Sequence, residues 1–289
     1  MGQIGARAYG MALVTVAAVL WSTAGLFVRL LDLDVWTMLA WRSLFAALSL
    51  ALVVGFQNRR QTIQAVRATG WPGLVAIPIA VVSMGSYVIA LKLTTVANVM
   101  IVYATVPFVA TAVAFFWIGE RAKSRVLLAS AIALIGIVVM AGFATRAQDI
   151  AGNAVAFLMT LAFAVQLVMA RRYPSLEMAS INAIAAALCA VICWPLMAAG
   201  IPDLHRLVIL ALFGITTTAL AYLLFLTGGR HIPSGEAGLI GLLDVVLGPF
   251  WVWLAFSEQP GQAAIVGGSL VLASVLWYLS GQLWDRGSA

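Results

Sequence analysis

The chain has 289 residues, is 64% hydrophobic and only 9% charged, and carries a net charge of +6. A soluble domain carries about 25% charged residues, so this balance excludes a water-solvated surface for most of the chain and makes lipid its solvent. The positive charge is scattered, with no long basic stretch, which argues against nucleic-acid binding and for contact with anionic lipid.

Crossing the hydrocarbon core takes about 20 mostly apolar residues in a helix. Segments of that kind are predicted at 8–31, 35–57, 71–92, 95–118, 125–144, 150–170, 178–199, 205–228, 234–256 and 261–282. They are apolar on all faces, unlike the alternating strands of about ten residues that build outer-membrane barrels. The links between them are too short for a soluble domain. Arg7 precedes the first run as in a secretory leader, but the run is too long for an h-region and no small-residue cleavage site follows it. It is read as a retained first span.

Each span carries few polar interruptions. The first has Trp21 and Ser22, and the second has Arg42. Ser83, Ser86 and Tyr87 lie in the third, and Asn98, Tyr103, Thr105 and Pro107 in the fourth. The fifth and tenth present small-residue faces, Ala129, Ala133 and Gly136 in one, Gly267, Ser274 and Gly281 in the other. Such faces pack helices closely, within a chain or between chains. The sixth span has Gln166. In the seventh, Cys189 and Cys193 lie one turn apart and read as small packing residues. The eighth has Thr216, Thr217, Thr218 and Tyr222, and the ninth Glu236, Asp244, Pro249 and Trp251.

Lys and Arg set the orientation. With the N-terminus in the cytoplasm, eleven of the 16 basic residues fall on the cytoplasmic side and five on the other. Both termini are then expected in the cytoplasm of a bacterium, with the chain in its inner membrane. Ten spans divide into two sets of five. Five is odd, so a second set copied from the first lies inverted, the arrangement of many alternating-access carriers. The halves are placed at residues 1–146 and 147–289. Gly10 to Arg29 aligns with Gly152 to Arg171 without gaps, with Gly10 on Gly152 and Arg29 on Arg171. The fourth and ninth spans admit two registers, one pairing Glu120 with Glu258, the other Pro107 with Pro249.

Asp244 lies about 15 Å into the ninth span at 1.5 Å per residue, and an ionisable group at that depth marks a functional site or a packing bond. Gly241, Gly248 and Trp251 share its helix face. Its functional reading is a group that binds a proton or a substrate ammonium. Arg42 either grips a substrate carboxylate or snorkels to the outer interface. Glu236 reads as a first-turn acid suited to the helix dipole, and Glu120 as a helix-end residue paired with a nearby Arg. Trp21, Ser22, Arg42, Ser83, Tyr87, Asn98, Tyr103, Tyr222, Asp244 and Trp251 form the candidate substrate-binding set. Taken singly, an uncharged member of that set is ordinary glue between helices. Together they describe a mildly polar, aromatic cavity. A phosphorylated substrate would need clustered Arg or Lys, and the spans offer only Arg42.

Enzyme signatures are weak. The chain has no Walker loop and no HExxH, and no cofactor or metal is expected. Asp32-Leu33-Asp34 matches a metal-binding DxD, but acids are ordinary in turns.

Leu20-Trp21-Ser22-Thr23, Ala40-Trp41-Arg42-Ser43, and Pro107 followed by Gly119-Glu120 resemble the EamA family of the drug/metabolite transporter superfamily. The opening segment is most similar to the YddG-type exporters of aromatic amino acids. The resemblance implies ten helices in inverted repeats around a central cavity. The second half departs from the family pattern, with Asp244-Val245 where Glu-Pro is common and Ser257-Glu258 where Gly-Glu is common. The expected protein is an all-α membrane carrier exporting aromatic or large neutral amino acids, with protons as a candidate coupling ion. The alternatives are export of other metabolites or drugs and, from another class, a membrane-bound transferase using Asp32 and Asp34.

Overall fold

The structure, a computed structural model, describes residues 3–57, 70–94, 96–121, 123–141, 150–174, 176–198, 200–257 and 262–284. Every regular element among them is helical. In lipid the backbone must satisfy its own polar groups, and a helix does so within one segment. Among the described residues fourteen α-helices follow in order. They are α1 (Gln3–Ser22), α2 (Ala24–Leu31), α3 (Val35–Gln57), α4 (Gly70–Leu93), α5 (Val96–Tyr103), α6 (Val106–Ile118) and α7 (Ser124–Ala141). Then come α8 (Ile150–Arg172), α9 (Met178–Cys193), α10 (Leu204–Phe213), α11 (Ala221–Gly229), α12 (Ser234–Gly241), α13 (Leu243–Phe256) and α14 (Gln262–Trp284). Among the described residues, eight stretches of helix are long and apolar enough to cross a membrane, and two shorter apolar helices lie within α7 and α14.

Three predicted spans are broken. The first divides at Thr23, where the Ser22 and Thr23 hydroxyls donate back to the carbonyls of Val19 and Leu20 at 2.6 Å. Such back-bonding competes with the helix ladder and bends it. The fourth divides between Tyr103 and Val106, because Pro107 lacks a donor and its ring crowds the carbonyl four residues earlier. The ninth divides at Leu242 with no proline at the break, and Pro249 lies inside the continuous α13. In the eighth, a π-helical segment, Gly214–Leu220, joins α10 to α11.

The breaks settle the repeat register. Val96–Tyr103 falls on Ser234–Gly241 with every residue shifted by 138, and so does Gly119 on Ser257. Gly119 (φ 69°) and Ser257 (φ 55°) are the left-handed caps that end α6 and α13. Glu120 therefore corresponds to Glu258, which lies outside the described residues, and Pro107 does not correspond to Pro249.

Packing follows the same exchange. The first span packs on the eighth and the sixth on the third, while the fifth packs on the tenth and the second on the seventh. Gly10 and Gly152 are the equivalent seats. A Cβ at Gly10 would stand 2.8 Å from the Gly228 carbonyl, and one at Gly152 2.8 Å from the Leu93 carbonyl carbon. The small faces of α7 and α14 meet within the chain, since a Cβ on Gly136 would lie 2.6 Å from the Gly267 carbonyl. Cys189 and Cys193 are free thiols buried beside Leu39 and Ala40. The main core lies between α1, α6, α7, α8, α11, α12 and α14. Large apolar side chains such as Phe116, 85% exposed, cover the outside.

Candidate functional site

The breaks and the π segment bring polar groups to mid-bundle. Trp21 is the last aromatic before the Thr23 break. Its indole N–H donates to the Thr217 carbonyl at 2.8 Å, inside the π segment, where the widened turn changes which carbonyls the helix itself satisfies. Its ring centroid lies 4.8 Å from Phe225, 5.8 Å from Phe163 and 6.0 Å from Tyr222. Tyr103, at the end of α5, joins through Phe163 at 6.2 Å. Five rings from the first, fourth, sixth and eighth spans thus form one cluster, in edge-to-face and tilted arrangements that suit aromatic quadrupoles.

Polar groups border that cluster. The Tyr222 hydroxyl donates to Gln166 Oε1 at 2.7 Å and lies within bonding reach of Ser83. Gln166 Nε2 is buried with no hydrogen-bond partner in the protein. The Trp251 indole donates to Ser22 Oγ at 2.7 Å, pinning α13 against the end of α1.

Asp244 lies in the first turn of α13, directly after the Leu242 break. The N-terminus of a half-helix favours an anion there. Its Oδ1 is buried without a hydrogen-bond partner, and the carboxylate is close enough to Tyr87 and Tyr103 for its charge to act on both hydroxyls. Asp244, Tyr87, Tyr103 and Arg42 are partly exposed side chains.

The Arg42 guanidinium lies over the Phe213 ring, 5.0 Å from the centroid, a cation–π contact, and near Tyr87. Asn98 is drawn away from the cluster. It donates to Thr94 Oγ1 at 2.8 Å, and Thr94 reaches Asn153 Oδ1 at 3.4 Å, at one end of the bundle. Of the ten candidates, Trp21, Ser22, Ser83, Tyr87, Tyr103, Tyr222, Asp244 and Trp251 converge around the mid-span breaks, Arg42 flanks them beside Tyr87, and Asn98 stands apart.

At the opposite end, charge is concentrated. Arg7 Nη2 lies 2.8 Å from both carboxylate oxygens of Glu236 and 3.4 Å from the Tyr278 hydroxyl. Glu236 is fully buried, so it is a partnered interior acid and not merely a first-turn residue. Glu120 pairs with Arg171 at 3.1 Å and accepts the Ser234 N–H at 3.2 Å, which agrees with the sequence expectation. Arg171 also donates to the Ile232 carbonyl. Desolvation holds the Glu120 carboxyl above the usual glutamate range, with Arg171 and the Ser234 N–H opposing and Glu236 adding to the rise. A crevice of about 40 Å³ lies here, lined by Thr111, Glu120, Lys123 and Glu236 among others.

Asp32 and Asp34 act as helix caps. Asp32 ends α2 in a left-handed conformation with φ 42°. Asp34 accepts the N–H groups of Trp36 and Thr37 at 3.0 Å. Burial pushes its carboxyl up, but hydrogen bonds from the Thr37 side chain and the N–H groups of Thr37, Trp36 and Ala198 outweigh this and hold it below the usual aspartate value.

Sequence reasoning missed Phe163 and Phe225, because a phenylalanine in an apolar span gives no polarity signal. It also missed the Arg7–Glu236 pair, whose members are 229 residues apart.

The described residues form an all-helical, multi-pass bundle with a polar centre, the architecture of an integral membrane protein. The chain belongs to the EamA-like transporter family, whose model matches residues 8–142 and again 150–280. It is also similar in fold to a solved structure titled "Crystal structure of protein", at 19% identity and a TM-score of 0.79, over 92% of this chain and 95% of that one. No curated protein matches it.

Proposed function

We propose that this transporter exports amino acids, aromatic or large neutral ones first, by alternating access across a bacterial inner membrane. In this reading α7 and α14 complete ten crossings, the halves at residues 1–146 and 147–289 are inverted copies, and both termini are cytoplasmic, as the Lys/Arg asymmetry favours.

The observation that carries the substrate class is the juxtaposition of the ring cluster around Trp21 with unpartnered polar atoms, Asp244 Oδ1 and Gln166 Nε2. A buried polar group without a partner is costly. A ligand that offers an ammonium to Asp244, an acceptor to Gln166 and an aromatic or apolar side chain to the rings would satisfy all three. Trp21, Ser22, Ser83, Tyr87, Tyr103, Tyr222, Asp244 and Trp251 are assigned to binding, with Arg42 beside Tyr87 as a carboxylate partner. Asn98 keeps a weaker claim, from its position in the fourth span.

The test is saturable uptake into proteoliposomes from a panel of labelled amino acids, sugars and organic cations. Uptake of phenylalanine or tryptophan, recovered chemically unchanged, is expected. Saturable uptake confined to another class would move the substrate to the alternative of other metabolites or drugs. Recovery of a modified product would favour a transferase.

A further inference from the structure

Cys189 and Cys193 lie one turn apart on α9 and are the only two cysteines of the chain. Both thiols are free and buried. Leu188, Val191 and Ile192, on the other face of the same helix, are exposed. The cysteines therefore face inward, against Leu39 and Ala40 of α3. Their sulfurs are within hydrogen-bonding reach of each other. Met84 of α4 and Met197, just beyond α9, pack against the same cluster. Four sulfur-containing side chains thus gather at one place.

Small packing residues account for the close approach of α9 to α3. They do not account for the polar groups beside the thiols. Ser43 is 1% exposed. Its Oγ lies close to the Cys189 thiol, yet it has no well-formed hydrogen bond in the protein. Arg42 Nε is also buried without a partner, and the guanidinium is close enough for its charge to act on both sulfurs. Two buried donors thus stand without acceptors next to two thiols, which accept only weakly. A thiolate accepts far better, because bonds to an ionised acceptor are the stronger kind. The thiolate is also the form that binds metal.

The cluster selects its ion. Thiolate and thioether ligands suit soft ions such as Cu(I). Among the described residues no three His, Cys, Asp or Glu side chains gather, so a four-ligand zinc site is not built there. Charge balance agrees. Two thiolates and a monovalent ion carry one negative charge, and the Arg42 guanidinium brings the unit to neutrality, as a site away from water requires. A divalent ion would leave the guanidinium uncompensated.

We infer that Cys189 and Cys193 form a binding site for one soft monovalent ion of the Cu(I) class. Met84 and Met197 flank it as thioethers, and Ser43 and Arg42 donate to the bound thiolates. On binding, two S–H bonds give way to two metal–sulfur bonds, two protons leave to water and no electron is transferred. The site lies where the second span packs on the seventh. It depends on no particular transport substrate.

The experiment uses the full chain, reduced and held in detergent without oxygen. Cu(I) is presented as its coloured bicinchoninate complex, and loss of colour reads transfer to the protein. Transfer of one Cu(I) per chain is expected. Cys189→Ser and Cys193→Ser should each abolish it while the melting temperature changes little. Ser43→Ala should weaken it about 10–100-fold, the loss that follows removal of an outer partner of a metal ligand. X-ray absorption at the copper edge, on the parent alone, should show sulfur neighbours only. No transfer to the parent, transfer that survives in either cysteine variant, or nitrogen or oxygen neighbours around the copper overturns the site. Zn(II) held as tightly as Cu(I) overturns the choice of ion.

Discussion

Arg7 Nη2 lies 2.8 Å from each carboxylate oxygen of Glu236, joining the first helix of one half to the second half across 229 residues of sequence. Glu236 has no exposed surface, while the Arg7 side chain keeps 28% of its own. Removing one partner of such a pair strands a charge, at a cost of about 3–5 kcal/mol when both are deeply buried and less when one reaches solvent. Glu236→Ala should therefore lower the melting temperature in detergent clearly. Joint replacement of Arg7 by Met and Glu236 by Leu should recover most of it. Equal losses in the single and double variants would mean that the pair contributes shape and not charge.

The aromatic cluster is predicted to touch substrate. Trp21→Ala and Tyr103→Ala should each raise KM for phenylalanine or tryptophan by about 3–10-fold, the worth of an aromatic contact, with insertion unchanged. Tyr87→Ala and Trp251→Ala are expected to follow, Trp251 because its bond to Ser22 holds α13 against α1. Normal transport in all four would place the substrate elsewhere.

In the proposed reading Asp244 offers a titratable carboxyl to the substrate. If it carries a proton or pairs with the substrate ammonium, Asp244→Asn removes the response of transport to an imposed pH gradient or abolishes transport. Asn keeps shape and hydrogen-bonding capacity, so a purely packing Asp244 would tolerate it with unchanged rate and unchanged pH response. Proteoliposomes with and without a gradient, for both forms, distinguish these outcomes.

Glu120 tests the electrostatics of the charged end. Its folded-state carboxyl is held above the usual glutamate value by desolvation, against Arg171 and the Ser234 N–H and together with Glu236. A raised carboxyl binds its proton more tightly in the folded state than in the unfolded one. Its charged form therefore opposes folding at higher pH, and that cost disappears as pH falls through the raised value. Infrared titration should show a protonated carboxyl band persisting above the ordinary glutamate range and missing from Glu120→Gln. A band that titrates at the ordinary position would contradict this.

Much of the fold was legible because lipid leaves the backbone few choices. The apolar runs reappear as helices, eight of them long and apolar enough to span among the described residues, and Gly10 and Gly152 both stand against the backbone of a neighbouring helix. The register of the fourth and ninth spans was not legible, since two dissimilar sequences make the same break. Pro107 enforces it in one half, and Gly241-Leu242 permits it in the other without a proline. The matching caps are also unlike residues, Gly119 and Ser257. Within the site, Trp21, Tyr222 and Asp244 stood out because they interrupt apolar spans. Phe163 and Phe225 complete the same cluster but blend into their spans. Asn98 looked like its equals in composition, and only the position of Thr94 shows why it turns to the bundle end.

Alternating access to one central site is the core of this account, and counterflow tests it most directly. Proteoliposomes loaded with unlabelled phenylalanine should take up external labelled phenylalanine faster than empty ones, saturably, with the label recovered unchanged. A carrier must behave so, because loaded sites return faster than empty ones or exchange without net movement. Uptake that neither saturates nor responds to internal phenylalanine would indicate a passive pore and contradict the account.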